Sequence, residues 1–303
     1  GLMSGRNNDE RTGARQANEG DSTAAVQAAT QHPRETNQSG LNFVIPTEFV
    51  ELPSGGRYYA DGHPLHNQDT IEIKYMTAKD EDILTSRSLL KKGLAINRFL
   101  QNIIVERNIK VEDLLIGDKN AILTAARISG YGAAYVTSTT CPACQTTDQY
   151  EFDLEQGVIT GYHSENCNHE KFENRVTDNK DGTFNILLPK SEVTVTVRMM
   201  TGADESRLAE SMKKKNKSSV VGHDTSMTDQ MRTYISAVNG SSQTAHIIGF
   251  VNAMPASDSR FLRATYQALM PNYDLRQHFV CDTCGYEQDM EVPFTADFFW
   301  PKS

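Results

Sequence analysis

The sequence predicts an α+β fold made of internally duplicated strand-helix units, each ending in a cysteine hairpin and joined pseudo-symmetrically through those hairpins. Three observations carry this. The stretch Tyr75-Met76-Thr77-Ala78-Lys79-Asp80-Glu81 shares its Met-Thr-x-x-Asp-Glu core with Met199-Met200-Thr201-Gly202-Ala203-Asp204-Glu205. Downstream features recur at a constant offset of 140, Asp258 against Asp118 and Cys281 against Cys141. Four of the five cysteines fall in two short pairs, Cys141-Pro-Ala-Cys144 and Cys281-Asp-Thr-Cys284. One repeated motif would not establish duplication, whereas several in the same order do.

Residues 1 to 40 hold no Phe, Tyr or Trp and are rich in Asn, Gln, Ser, Thr, Gly and Ala. Such a tail buries too little apolar area to offset its ordering entropy, so it is expected to be disordered alone. The first unit, 41–154, opens on Leu41 to Leu52 and a Gly55-Gly56 turn, read as strand, turn, strand. Thr70 to Met76 alternates as a half-buried strand with Ile71, Ile73 and Tyr75 on one face. Thr77 with Asp80 three residues on starts a helix through Ile83, Leu84, Leu89 and Leu90, ending at Gly93. A second helix spans Ile96 to Val105, and an extended piece runs from Ile109 to Leu115. A third helix begins at Gly117-Asp118. Ala134 to Thr137 leads into the first cysteine pair, and Tyr150, Phe152 and Leu154 return from it.

The polar stretch 155–182 reads as a linker ending in the turn Asp178-Asn179-Lys180-Asp181-Gly182. The second unit, 183–303, repeats the order: strands at Thr183 to Pro189 and Val193 to Val197, then a helix capped by Thr201. Val251 to Met254 answers Val111 to Leu114, and Leu262 answers Ile122. The offset grows from 124 at Thr201 to 140 at Cys281, so extra residues are expected within Lys213 to Thr228 or at Ser241-Ser242-Gln243.

Two-residue spacing lets both sulfurs of a pair curl onto one ion, and two pairs supply four soft ligands in a tetrahedron, the donor set of structural Zn2+. Cys141, Cys144, Cys281 and Cys284 are the expected ligands, one half-site from each unit, forming a zinc-ribbon-like site. Four thiolates leave no open position for a substrate. A disulfide staple is the weaker reading, since the chain shows no secretory signal and is long enough to bury a core. A local site, Cys141 and Cys144 with Cys167 and His163 or His169, is the competing arrangement. It would leave Cys281 and Cys284 without a role.

The net charge of -9 opposes a general nucleic-acid binder, which needs an excess of Lys and Arg. A zinc-ribbon nucleic-acid module is still the second reading, with Lys213 to Lys217 as its charge. A solvated helix end explains that run more simply. Hydrophobic content of 38% is low for a fully folded chain, and no apolar run approaches the ~20 residues of a membrane span. No nucleophile elbow, metalloprotease motif or dinucleotide fingerprint is present. No His-x-Glu precedes Cys141 as a deaminase would require. The chain is therefore read as non-enzymatic, with no small-molecule substrate.

Three stretches together carry a family resemblance: Leu52-Pro53-Ser54-Gly55-Gly56-Arg57-Tyr58-Tyr59, the repeated strand-Met-Thr-x-x-Asp-Glu unit, and Cys281-x-x-Cys284-Gly285 followed by Val292-Pro293-Phe294 and Phe298-Phe299-Trp300-Pro301. In that order they resemble the baseplate hub and baseplate assembly proteins of T-even (T4-type) contractile-tailed bacteriophages. The resemblance implies a structural virion protein of the tail baseplate, put together in the host cytoplasm. Its implied partners are other baseplate, hub and tail-tube proteins, with a homo-oligomer within the baseplate a further option. The tail 1–40, the Gly55-Gly56 turn and the aromatic C-terminus are the expected contact surfaces, although for a terminal segment closing the chain's own core is the favoured use of the aromatics.

Overall fold

The computed structural model describes residues 43–218, 226–292 and 296–299. The expected disordered tail, most of the Ser218 to Thr228 loop and Trp300 lie outside these residues.

Strands β1 (Thr47–Glu51) and β2 (Thr70–Lys74) pair antiparallel, with Val50 opposite Ile71. Period-two alternation puts Val50, Ile71 and Ile73 inside. The chain between them is not the tight hairpin that the paired glycines suggested. Residues 52–69 form a folded loop in which Gly55 and Gly56 take φ of +59° and +72°. A Cβ on Gly56 would come within 2.5 Å of the Leu65 and Gln68 backbone, so Gly56 packs against the loop's own backbone.

Helix α1 (Ala78–Thr85) starts at Thr77, whose hydroxyl accepts from the Asp80 amide while the Asp80 carboxylate accepts from the Thr77 amide. The expected single helix to Gly93 is broken at Ser86. Ser86 leaves helical geometry, ends α1, and accepts from the Leu89 amide to cap α2 (Arg87–Lys91). Helix α3 (Ala95–Ile103) buries Ala95, Phe99, Leu100 and Ile103. An extended piece with one 3-10 turn at Val111–Asp113 follows, then α4 (Ile116–Tyr131) and the hairpin β3 (Ala134–Thr140) with β4 (Thr147–Asp153).

The segment 155–182 is more than a polar linker. It holds β5 (Val158–Thr160) and β6 (Val176–Asp178). Three rings explain the difference, because Tyr162 packs on Phe184 at 5.0 Å and on Phe172 at 5.9 Å. A few aromatics bury enough area to order a stretch whose average composition is polar. The expected turn before Gly182 is present, with Lys180 and Gly182 at positive φ, and it turns β6 into β7 (Thr183–Leu187).

Next come β8 (Thr194–Arg198), α5 (Gly202–Ser218), α6 (Ser226–Tyr234) and β9 (Ile235–Val238). Strands β6-β7-β8-β9 form one antiparallel sheet. Thr201 and Asp204 cap α5 with the bonds that Thr77 and Asp80 make at α1. Helices α7 (Thr244–Ala253) and α8 (Ala256–Leu269) precede β10 (Asn272–Asp274), which pairs with β5. The hairpin β11 (Gln277–Val280) with β12 (Glu287–Met290) follows. Val251 lies in the last turn of α7, where its counterpart Val111 lies in a 3-10 turn.

Two buried aspartates anchor strand ends to helices. Asp118, in the first turn of α4, accepts from the Ser54 amide at 3.0 Å and from the Ser54 and Tyr59 hydroxyls. Asp258, in the first turn of α8, accepts from the Lys190 and Ser191 amides at 2.8 Å each. In both cases the anchored residues follow a Leu-Pro pair at a strand end, Leu52-Pro53 and Leu188-Pro189.

Residues 45–303 make one unit with a continuous core running from Val50 and Phe99 to Leu262 and Leu269. Leu115 bridges Thr201, and the Gly202 amide donates to the Leu114 carbonyl at 2.9 Å. Phe298 and Phe299 close this core edge-on against Tyr135 and Phe99, with centroids 5.3 and 5.5 Å apart. These two C-terminal aromatics therefore serve the fold and are not free for a partner. Among the described residues no helix is long and apolar enough to cross a membrane.

Candidate metal centre

Each cysteine pair sits at the tip of a two-stranded hairpin, and the two tips are built alike. The Cys141 amide donates to the Thr146 carbonyl, and the Gln145 amide returns to the Cys141 carbonyl. In the second tip the Cys281 amide donates to Tyr286 and the Gly285 amide to Cys281. The residue after the second cysteine is left-handed in both, Gln145 at φ +61° and Gly285 at +74°. This twist turns the chain back around the sulfurs. Glycine adopts it freely and glutamine does not.

The two tips meet. Cys141 Sγ lies 3.8 Å from Cys284 Sγ, and Cys144 Sγ lies 3.7 Å from Cys281 Sγ. All four ligand atoms fall within 4.8 Å of one another. Four sulfurs at the ordinary Zn–S bond length of ~2.3 Å form a tetrahedron with an edge of about 3.8 Å. The donor set and its spacing thus fit a zinc ion. They do not fit disulfides, whose sulfurs sit at ~2.05 Å, and all five cysteines are free thiols.

The electrostatics point the same way. The Thr146 hydroxyl and amide hold the Cys144 thiol down to about 6. The Cys284 and Thr283 amides hold Cys281 below the usual thiol range. The Tyr286 amide favours the Cys284 thiolate, but desolvation and the neighbouring sulfurs, Cys144 first among them, push it up to about 12. Crowded thiolates repel one another, and a divalent cation at their centre removes that cost.

Packing fixes the approach of the two hairpins. Cys141, Phe279 and Cys281 form a small apolar cluster with Tyr150 and Met290 against it, and the Tyr150 and Phe279 rings are 4.7 Å apart. Gln277 was not singled out from sequence. Its side-chain amide donates to the Asp153 carbonyl at 2.7 Å, and its oxygen accepts from the Asp153 amide at 3.1 Å. A glutamine in a strand carries no local signal for this, because its partner lies 124 residues away. Gly117 also allows close approach, since a Cβ there would fall 1.9 Å from the Pro271 carbonyl oxygen.

The competing donors lie elsewhere. His163 Nε2 is 3.1 Å from Asp178 Oδ2, and the His169 ring packs on Tyr162 at 4.5 Å. Cys167 is half-buried against the main core, and desolvation raises its thiol. None of the three joins the four-sulfur cluster.

Fold and site together define a mixed α/β protein whose two Cys-x-x-Cys hairpins close on each other. This chain belongs to the T4 bacteriophage base plate protein family, whose model matches residues 45–300. No curated protein and no solved structure matches it. It is accordingly a structural protein of the phage tail baseplate, with other phage structural proteins as its neighbours.

Proposed function

We propose that this chain is a hub subunit or assembly component of the baseplate. It acts by docking to hub and tail-tube proteins rather than by catalysis, and it is put together in the host cytoplasm. In this reading Cys141, Cys144, Cys281 and Cys284 hold one structural Zn2+ that ties a first unit, 41–154, to a second, 183–303, across 155–182. The observation that carries it is the convergence of four sulfurs from two hairpins 140 residues apart at tetrahedral spacing. The matched caps at Thr77 and Thr201 and the matched anchors at Asp118 and Asp258 support an internal duplication, in which each unit supplies half a site. Four thiolates saturate the ion, so it contributes folding free energy, on the order of 10 kcal/mol for such sites, and no chemistry on a substrate.

Elemental mass spectrometry on the wild type and on Cys141→Ser and Cys281→Ser tests the shared ion. We expect one zinc per chain, lost from both variants. Zinc retained in Cys281→Ser would assign the metal to the local Cys167 and histidine set instead.

A further inference from the structure

Among the described residues the outer edge of β1 is unpaired, whereas its counterpart in the same molecule is covered. The Tyr75 amide donates to the Pro46 carbonyl and the Leu52 amide to the Asp69 carbonyl. In an antiparallel ladder the residues that exchange both bonds alternate. Pro46, Glu48, Val50 and Leu52 therefore bond to β2, and the backbone groups of Thr47, Phe49 and Glu51 point the other way. Among the described residues no strand pairs with them.

Strand β7 has the same layout. The Leu188 amide donates to Val193, so Thr183, Asn185 and Leu187 face away from β8. There β6 fills the edge: Thr177 pairs with Asn185, the Leu187 amide donates to Arg175, and the Asn179 amide donates to Thr183. The turn that brings β6 back uses Lys180 and Gly182 at positive φ. Phe43, Val44, Ile45 and Pro46, which lead into β1, include no residue at positive φ and no Gly, Asn or Asp to make such a turn. Residues 43–46 therefore do not make a turn like the one that brings β6 back along β7.

Two side chains on this strand indicate what the edge accepts. Phe49 is 48% exposed. Glu51 is exposed on the same face, whereas Glu48 lies on the inward face with Val50, where burial raises its carboxyl against an opposing hydrogen bond from Ser129. A second copy would bring the same exposed Glu51 and the same net charge of -9 to this edge, which like-charge repulsion disfavours. An edge carrying the exposed Glu51, on a chain of net charge -9, selects a basic partner.

We propose that the edge of β1 docks an extended segment of a different baseplate protein, which adds as an antiparallel strand, covers Phe49 with an apolar residue and sets a basic residue beside Glu51. This is β-augmentation, in which main-chain bonds give affinity and alternate side chains give selectivity. The proposal rests on the baseplate role only for the identity of the partner.

The test replaces Phe49 with the photo-crosslinking residue benzoylphenylalanine in the full chain and irradiates baseplates and their assembly intermediates. Asn185, already covered by β6, carries the same probe as a control. We expect a Phe49 adduct that mass spectrometry maps to a short basic segment of another baseplate protein, and no intermolecular adduct at Asn185. Phe49→Pro, which removes an outward amide while leaving the β2 ladder intact, should melt within a few degrees of wild type and enter baseplates at least tenfold less. An adduct to residues 1–42, an adduct to a second copy, or no adduct in baseplates that contain the protein would each overturn the proposal. Absence of the wild-type chain from every baseplate intermediate would instead overturn the assembly role, and the partner with it.

Discussion

Asp118 and Asp258 occupy the same place in two helices, yet their surroundings push them in opposite directions. Desolvation pushes the Asp118 carboxyl up, against the opposing hydrogen bonds from Ser54 and Tyr59. Desolvation also opposes the Asp258 carboxylate, but the Ser191 hydroxyl, the Lys190 and Ser191 amides and nearby Arg175 hold it below the usual range. Asp204 is the stronger acid-sensitive group. Burial works against its charge, yet Arg198, the Thr201 amide and Arg207 together hold it well below an ordinary aspartate. The folded state therefore binds this proton more weakly than the unfolded chain, whose aspartates titrate near ~3.9. The Asp204 contribution to stability is complete above that value and drains as pH falls through it toward the folded one. Denaturant midpoints measured between about pH 5 and pH 3 should fall less steeply for Asp204→Asn than for wild type. Parallel slopes would show that the Arg198 pair does not set the acid limit.

At the scale of elements, local signals were readable and distant partners were not. The Thr77 and Thr201 caps are legible because cap and acid sit three residues apart on one turn. The cysteine tips are legible because a two-residue spacer has one dominant use. The Asp118 and Asp258 anchors reach across 64 and 68 residues, and the Gln277 clamp across 124, so no window of sequence contains both ends. Ser86 broke an expected helix because a serine that can cap the next helix offers the backbone an exit. The aromatic C-terminus was ambiguous in sequence, since the same residues suit a core or an interface. Here Phe298 is 1% exposed and sits against Arg127, Tyr135 and Phe299. Phe298→Ala should then cost about 3–5 kcal/mol in urea unfolding, the usual range for an emptied phenylalanine site. A loss below ~1 kcal/mol would mean that this segment does not close the core.

For the molecule as a whole the question is what the proposed zinc would add to a chain whose halves already share a core. A zinc-ribbon-like clamp between two independent units would make the ion the main bond between them. The contacts describe a different division of labour. Leu115 and Thr201 bridge, β5 of the middle segment pairs with β10, the Asn120 and Asn272 side chains bond across the helix end, and one apolar cluster spans both units. Loss of the ion would leave four crowded thiols at the hairpin tips and loosen β3-β4 and β11-β12, while the central sheet and α4 keep their partners. Chelation of the zinc-loaded protein should therefore move the unfolding midpoint to lower denaturant and leave a single transition with nearly the same slope, because the surface exposed on unfolding is nearly the same. Near-ultraviolet dichroism from Tyr150, beside the tips, should change before the transition, since its ring packs on Phe279 next to Cys281. Two separated transitions after chelation would contradict this and would make the ion the sole link between the halves. The shared core predicts the first outcome, in which zinc fixes the angle of the two hairpins and the buried apolar surface keeps the halves as one folding unit.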